Sequence, residues 1–552
     1  MKHACLMALV VGCSLIGAVR AESMTQSALD GVVEQRIAGD RTGACLAVAV
    51  VDKAAVTRSY RCAFDRDKGR IGPDSAFEIG SVSKTMTAAL LTDLILKGKA
   101  SLDDPLAAWL PAGTDVPTWH AQPILLRHVV THTSGLPALP PGVALTNPAD
   151  PYAALTAKAL FAALGRVKLE AAPGDHFEYS NFAMMLLSWG IAHRTGQDLE
   201  TLLQQRLFAP LGMKDAYIDA RPKGVRVAAG HSQNATVVPA WHFPTDLAGV
   251  GGVHATLDDM VRYVQGNLGQ IESSITPALA YTHKQLNEAP PIAMNWMLGK
   301  VGGRTVLVHE GGTGGFSSFV GIDPARQRGV VVLSDTALTA LGGLGDLGLH
   351  LIDASMPLGK PLHAATPPAA LLEALAGRYQ LPSIAAMTLR VEDGVLHGQA
   401  AGQPEFELAY DDSGNFHPRN FDALLHPVKA ADGSYTFTWS QGGAVLPATR
   451  VDERAQADRP KLSAEALAAY TGTYPLMPNF ALDVWPRDGQ LHARATGQGE
   501  FALDAIGKDR FAAAAYGIEI EFTRDADGKV AALDLHQAGH VLHGERTPLK
   551  TP

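Results

Sequence analysis

The sequence predicts an α+β domain, in which an antiparallel sheet is interrupted by a helical insertion, followed by two small antiparallel β-barrels. Three observations carry this reading. Strand-like runs open and close the first domain, in "GACLAVAVVDKAAVTRSYRCAF" and "TVLVHEGGTGGFSSFVGIDPARQRGVVVLSD". Between them lie helical patterns and long Pro/Gly loops such as "SGLPALPPGVALTNPADP". Further on, "GRYQLPSIAAMTLRVEDGVLHGQAAGQPEFEL" from Gly377 lies without a gap against "GTYPLMPNFALDVWPRDGQLHARATGQGEFAL" from Gly472, so the C-terminal part is an internal repeat.

A chain of 552 residues is too long for one core, and 47% apolar against 18% charged residues describes folded globular material. Residues 1–21 pair Lys2 and His3 with an apolar run of about fifteen residues and a small-residue ending, the pattern of a secretory leader cleaved after Ala21. A competing reading takes "VVGC", ending at Cys13, as a lipoprotein signal. No later segment approaches the ~18 apolar residues that a membrane span needs, so a periplasmic or secreted protein without a transmembrane segment is expected. The formal charge of −9 becomes −11 when Lys2 and Arg20 leave with the leader, which argues against nucleic acid as a partner.

The first mature domain is assigned to residues 25–357. Its opening hairpin turns near residues 52–55, which sets Cys45 directly opposite Cys62 on antiparallel strands. Either a disulfide or two small buried thiols fits that register, and export would permit the bridge. The closing run reads as three strands with a tight turn at "DPARQRG", and the Pro-rich stretch 356–370 reads as a linker. Barrels are assigned to residues 370–452 and 462–548, because each repeat alternates short strand patterns with turn signals such as "EDG" and "RDG". Neither repeat contains a recognisable nucleophile and base, so both are read as accessory modules, one of which could limit substrate size by covering a cleft.

Candidate chemistry lies in three short segments of the first domain. In "FEIGSVSKTMTAALL", Ser81 and Lys84 are three apart at a predicted helix start, which puts both side chains on one face and the hydroxyl at the positive end of the helix dipole. A lysine enclosed there has its pKa lowered by desolvation and can take the serine proton; the bland alternative is an N-cap serine with a solvated lysine. In "GDHFEYSNFAMMLLSWG", Tyr179 and Asn181 precede a helical run. A phenol beside an ammonium ionises more easily and can shuttle a proton, and the Asn181 amide can bind a substrate carbonyl or the lysine; the alternative is a loop with a helix cap. In "LVHEGGTGGFSS", strand alternation turns His309 and Gly311 to one face, and Gly312 is placed to offer an N–H opposite that of Ser81 as an oxyanion hole. By itself His309 also reads as a satisfied strand histidine.

These three segments, in this order, resemble the serine β-lactamase and penicillin-binding protein family, whose signature is Ser-x-x-Lys, then Tyr-x-Asn or Ser-x-Asn, then Lys-Thr-Gly. "FEIGSVSK", "HTSGLP" at 132–137 and "GGVHATLDDM" at 251–260 extend the resemblance over roughly residues 30–355. The Tyr form is similar to the class C β-lactamase, D-aminopeptidase and esterase branch, and the paired lipocalin-like barrels resemble the arrangement in D-aminopeptidases. The resemblance implies a β-lactamase/transpeptidase-like fold with the site between sheet and helical subdomain. It implies Ser81 as acylated nucleophile, Lys84 and Tyr179 as the proton-handling pair, Asn181, His309 and Gly311 at the substrate, and the N–H groups of Ser81 and Gly312 as oxyanion hole.

One departure bears on substrate. His-Glu-Gly stands where the family has Lys-Thr-Gly, so a permanent cation gives way to a group mostly neutral at pH 7. Small peptides, amides or esters without a carboxylate beside the reactive carbonyl are therefore expected to be held better than penicillins or D-Ala-D-Ala termini. No cofactor and no metal are expected. "GLGDLG" at Gly343–Gly348 matches a dinucleotide fingerprint but is not set directly between strand and helix, and His536, His540 and His543 lack zinc-enzyme spacing. Two function classes follow: an exported serine hydrolase working through an acyl-enzyme, as D-aminopeptidase-like peptidase or carboxylesterase with β-lactamase or D-Ala-D-Ala carboxypeptidase as the alternative activity, or a non-catalytic cell-wall-binding protein.

Overall fold

The structure, a computed structural model, describes residues 23–549 apart from 54, 144–146, 148, 382–383, 402, 422, 431, 442–443, 452–461, 478–479, 488, 497–499, 514–517 and 538–539. The leader-like residues 1–21 and Cys13 lie outside the described residues. Among the described residues no helix is long and apolar enough to cross a membrane.

The elements that build the first domain are α1 (Gln26–Ile37), β1 (Cys45–Val51), β2 (Val56–Cys62), β3 (Ser75–Glu78), α2 (Ser83–Leu96), α3 (Asn181–Thr195), β4 (His254–Thr256), α4 (Leu257–Asn267), β5 (Met297–Val301), β6 (Arg304–Gly312), β7 (Ser317–Asp323), β8 (Arg328–Ser334) and α5 (Gly345–Ile352). Strands β5-β6-β7-β8-β1-β2 form one antiparallel sheet, so the closing strands pair back onto the opening hairpin. Helices cover both of its faces. Strand β1 shows why: all seven residues are buried, with Cys45, Ala47, Ala49 and Val51 packed in the core shared with α2 and α3. Leu46, Val48 and Val50 point the other way, against Leu29, Val33 and Ile37 of α1 and Leu347 and Leu351 of α5. A strand buried on both faces needs an unbroken apolar run, and "CLAVAVV" supplies it.

The hairpin register pairs Cys45 with Cys62 and Val51 with Val56, and the two sulfurs are bonded. The small sheet β3-β4 lies apart from the main one and directs the chain from Glu78 into Ser81. The helix carrying the serine starts later than the sequence indicates. Gly80–Val82 forms a 3-10 turn and α2 proper begins at Ser83, because Gly80 adopts a left-handed φ of 49°. The cap of α3 is Ser180, whose hydroxyl accepts from Ala183 N, and Asn181 is the first helical residue, not the cap.

Two nearly closed antiparallel barrels follow. In the first, Thr449–Arg450 pairs with Tyr379 and Gln380 and so joins the last strand to the first. In the second, Thr473 and Thr547 exchange backbone hydrogen bonds of 3.0 and 2.8 Å across the seam. The internal repeat is structural: Gly377 pairs with Leu389 as Gly472 pairs with Val484. The Tyr379 hydroxyl donates to Leu375 O at 2.9 Å, as that of Tyr474 donates to Tyr470 O at 2.8 Å. The segment read as a linker is bound at both sides. Leu362 N donates to Asp40, and Ala364–Ala365 adds a short strand to the first barrel. That barrel also holds the first domain through a buried Arg41–Asp411 ion pair at 3.0 Å and through Asn234, which donates to Pro418 O at 2.8 Å.

Candidate active site

The nucleophile candidate sits where the small sheet hands over to α2. Gly80 and Gly311 allow the backbones of the Ser81 turn and of β6 to approach: a Cβ on Gly80 would lie 2.6 Å from Gly312 N, and one on Gly311 2.1 Å from Ile79 O and 3.0 Å from Ser81 N. The hydroxyl of Ser318 locks this junction by donating to Ile79 O at 2.8 Å. The N–H groups of Ser81 and Gly312 are thereby brought to adjoining backbone segments at one end of β6.

Lys84 lies one turn along from Ser81 and is fully buried. Its Nζ stands 2.7 Å from Ser81 Oγ and donates to Val250 O at 2.7 Å. The segment containing Val250 reaches α2 because Gly249 has no side chain; a Cβ there would lie 2.5 Å from Thr87 Oγ1. Desolvation holds the Lys84 pKa well below the usual lysine range. The lowered pKa favours the neutral amine, the form whose lone pair can take the Ser81 proton.

Tyr179 completes the cluster. Lys84 Nζ lies 5.0 Å from its ring centroid, and the Ser81 hydroxyl is beside its phenol. One expectation is corrected here. Tyr179 does not become easier to ionise: burial pushes its pKa above the usual phenol value, and the neighbouring Ser81 hydroxyl only partly offsets this. No lysine charge is among the causes of this shift, so desolvation dominates and favours the protonated phenol. Asn181 follows at the start of α3, with its backbone N–H donating to Ala138 O and its side chain beside Tyr152; its Oδ1 is buried and unpaired.

His309 is buried with its Nδ1–H donating to the adjacent Glu310 carbonyl at 2.7 Å, which leaves Nε2 as a bare acceptor. Burial, with Lys84 adding to it, pushes the ring down to about 3. His309 is neutral throughout the physiological range and supplies no cation. Glu310, between His309 and Gly311, turns to the opposite face and accepts from Leu344 N at 3.3 Å. The "GLGDLG" glycines have their reason there: a Cβ on Gly343 or Gly345 would come within 2.2 or 2.5 Å of the Glu310 carboxylate.

Three residues near the cleft carried no assigned role in the sequence. Tyr152 stacks on Phe243 at 4.7 Å and meets Trp241 edge-on, forming an aromatic wall beside Asn181. His132 of "HTSGLP" stacks on Tyr179 at 4.3 Å. Glu78 of "FEIGSVSK" is 4% exposed, accepts from Trp241 N at 3.1 Å and lies beside the Thr313 hydroxyl. The resemblance quoted the segments of His132 and Glu78, but nothing in their spacing gives a role.

Burial pushes the Glu78 carboxyl up to about 7 from 4.5, against the pull of the Thr313 hydroxyl and the Trp241 N–H. The folded chain thus holds a proton that the unfolded chain has lost. Stability from this group is fully present below about 4.5 and declines as pH rises to about 7. The loss amounts to roughly 3 kcal/mol. Glu78→Gln, which keeps the neutral shape, should remove it: denaturation midpoints of variant and wild type should be close near pH 5 and diverge by pH 8, with the variant the more stable.

Known proteins resemble the chain in two regions. Residues 29–348 match the family model described as Beta-lactamase, and residues 456–546 match a domain of unknown function, DUF3471. The chain is 30% identical over 336 residues to the D-alanyl-D-alanine-carboxypeptidase/endopeptidase AmpH of Escherichia coli K12, covering 57% of this chain and 86% of that protein. It is 24% identical over 276 residues to the esterase EstB of Burkholderia gladioli, covering 43% of this chain and 68% of that one. The octameric penicillin-binding protein homologue from Pyrococcus abyssi shares the fold with a TM-score of 0.50 at 17% identity, over 85% of this chain and 97% of that one.

Proposed function

Because the chain belongs to the beta-lactamase family and is a hydrolase of it, we propose that it cleaves amide or ester bonds through an acyl-enzyme on Ser81. The observation that carries this is the fully buried Lys84 amine 2.7 Å from the Ser81 hydroxyl, its pKa lowered by desolvation with no carboxylate among the causes. Ser81 Oγ attacks the substrate carbonyl as its proton passes to Lys84, and the oxyanion forms against the N–H groups of Ser81 and Gly312. Collapse expels the leaving amine or alcohol, which takes a proton from Lys84 through the Tyr179 phenol. Water, deprotonated by the same pair, then releases the acid and regenerates Ser81. Asn181, with its unpaired Oδ1, receives an N–H of the substrate.

The substrate class we infer is small peptides, amides and esters that lack a carboxylate next to the reactive carbonyl, as for a D-aminopeptidase-like peptidase or a carboxylesterase. The neutral His309 supports this. The similarity to a D-alanyl-D-alanine-carboxypeptidase/endopeptidase favours D-Ala-D-Ala peptides as a second reading. The position can be titrated by mutation. His309→Lys should raise kcat/KM for a penicillin relative to a neutral p-nitrophenyl ester about tenfold, the worth of one charge-assisted hydrogen bond of ~1.5 kcal/mol. An unchanged ratio would mean that the carboxylate is bound elsewhere, and the D-Ala-D-Ala reading would be favoured.

The leader-like residues 1–21 and the Cys45–Cys62 disulfide support export to the periplasm or beyond the cell, where a disulfide persists. A wall-binding protein without catalysis is the reading of another class. It gives no reason to bury a lysine amine against a serine.

A further inference from the structure

Tyr179 is held by one residue on three sides. The amide of the residue before it, Glu178 N, donates to the His132 carbonyl at 2.7 Å. The amide of the residue after it, Ser180 N, donates to His132 Nδ1 at 3.2 Å. Between these two bonds the imidazole stacks on the phenol ring, with centroids 4.3 Å apart and planes 29° from parallel. His132 is 1% exposed and adopts a left-handed φ of 54°, a conformation uncommon for a residue with a large side chain. Strained backbone of this kind persists where the surroundings over-determine it, and it clusters at functional sites.

The ring's chemistry is fixed by the same contacts. Since Nδ1 accepts from Ser180, the neutral imidazole carries its proton on Nε2. The Asn295 carboxamide is the imidazole's other polar neighbour and favours its protonated form, although Nε2 and Asn295 Oδ1 do not meet in full hydrogen-bond geometry. Asn295 is a second buried residue with a left-handed φ, 60°; its N donates to Val130 O, and its Nδ2 donates to Lys84 O at 3.4 Å. Burial, with Lys84 and His309 nearby, keeps His132 neutral, which preserves the acceptor at Nδ1.

We propose that His132 is a positioning residue for Tyr179: it clamps the tyrosine backbone on both sides and its ring from one face, fixing the phenol against Ser81 and Lys84, while Asn295 ties the clamp to the helix that carries Lys84. It acts through the phenol and touches no substrate. The inference rests on the proton-transfer role proposed above for Tyr179, and its test separates the two.

The test is a double-mutant cycle read as kcat and KM for a p-nitrophenyl ester, with thermal midpoints recorded for each protein. His132→Phe keeps a ring on the phenol and removes the acceptor for Ser180 N; His132→Asn keeps an acceptor, tolerates the left-handed backbone and removes the stack. With Tyr179 present, His132→Phe should lower kcat about 100-fold with KM within about threefold, as a misplaced catalytic group does, and His132→Asn should restore part of the loss. With Tyr179→Phe as background, either substitution should cost less than about threefold, because the group being positioned is already gone. Equal losses in both backgrounds, or no loss with Tyr179 present, would overturn the proposal. If Tyr179→Phe alone leaves kcat unchanged, the proton-transfer role fails and the positioning proposal with it. If Tyr179→Phe is costly and the cycle is additive, only the positioning proposal fails.

Discussion

Ser81→Ala should lower turnover of any accepted ester or amide by 10⁴ to 10⁶-fold, on the order of what removal of a covalent nucleophile costs in other serine hydrolases. The fold should be untouched. The Ser81 hydroxyl has Lys84 and Tyr179 as neighbours and caps no helix, and the turn that carries it is set by Gly80 and by the Ser83 hydroxyl, which donates to Gly80 O at 2.8 Å and accepts from Val253 N at 3.2 Å. Steady-state kinetics together with the thermal midpoint check both halves of this expectation. KM for a neutral ester should change little, because the aromatic wall of Tyr152, Trp241 and Phe243 remains in place.

Lys84→Met should also be severe, about 10³-fold in kcat/KM, the middle of the range for loss of a general base. Methionine matches the length of the lysine stem, so the buried slot stays filled, and the chain loses the hydrogen bonds to Val250 O and Ser81 Oγ. The variant should therefore fold. The pH profile gives a second view of the same group. Lys84 must be neutral to accept the serine proton, and burial depresses its pKa, so wild-type kcat/KM should fall as pH drops through a pKa below the usual lysine range. His309, neutral down to about 3, contributes no limb above that value. The residual activity of Lys84→Met should lack the acidic limb, and a limb that persisted would assign it to another group.

Much of the site was legible because its members come in short, spaced groups. Ser81 and Lys84 stand one turn apart where a 3-10 turn runs into α2, Tyr179 and Asn181 stand two apart at a helix start, and His309 and Gly311 alternate on a strand, so local spacing brings each pair together. The disulfide register followed from counting back from a turn, and the barrels from a repeat that recurs in the register of Gly377 and Gly472. What escaped has physical reasons. The helix start moved because Gly80 takes a left-handed φ at the close approach to Gly312. The ionisation of Tyr179 was misjudged because its sign depends on burial, which follows from packing and not from neighbours in the chain. His132, Asn295 and Glu78 are single residues from separate segments, and the left-handed backbone of the first two leaves no pattern in the sequence.

The central claim is that a lysine-backed serine at position 81 is acylated. The most direct measurement is intact mass of the wild type and of Ser81→Ala after exposure to a fluorophosphonate, a p-nitrophenyl ester and a penicillin. A single adduct on the wild type that disappears in the variant is the predicted result, with the neutral ester labelling faster than the penicillin. No adduct with any of the three, or an adduct that persists in Ser81→Ala, would contradict it and leave wall binding as the better account.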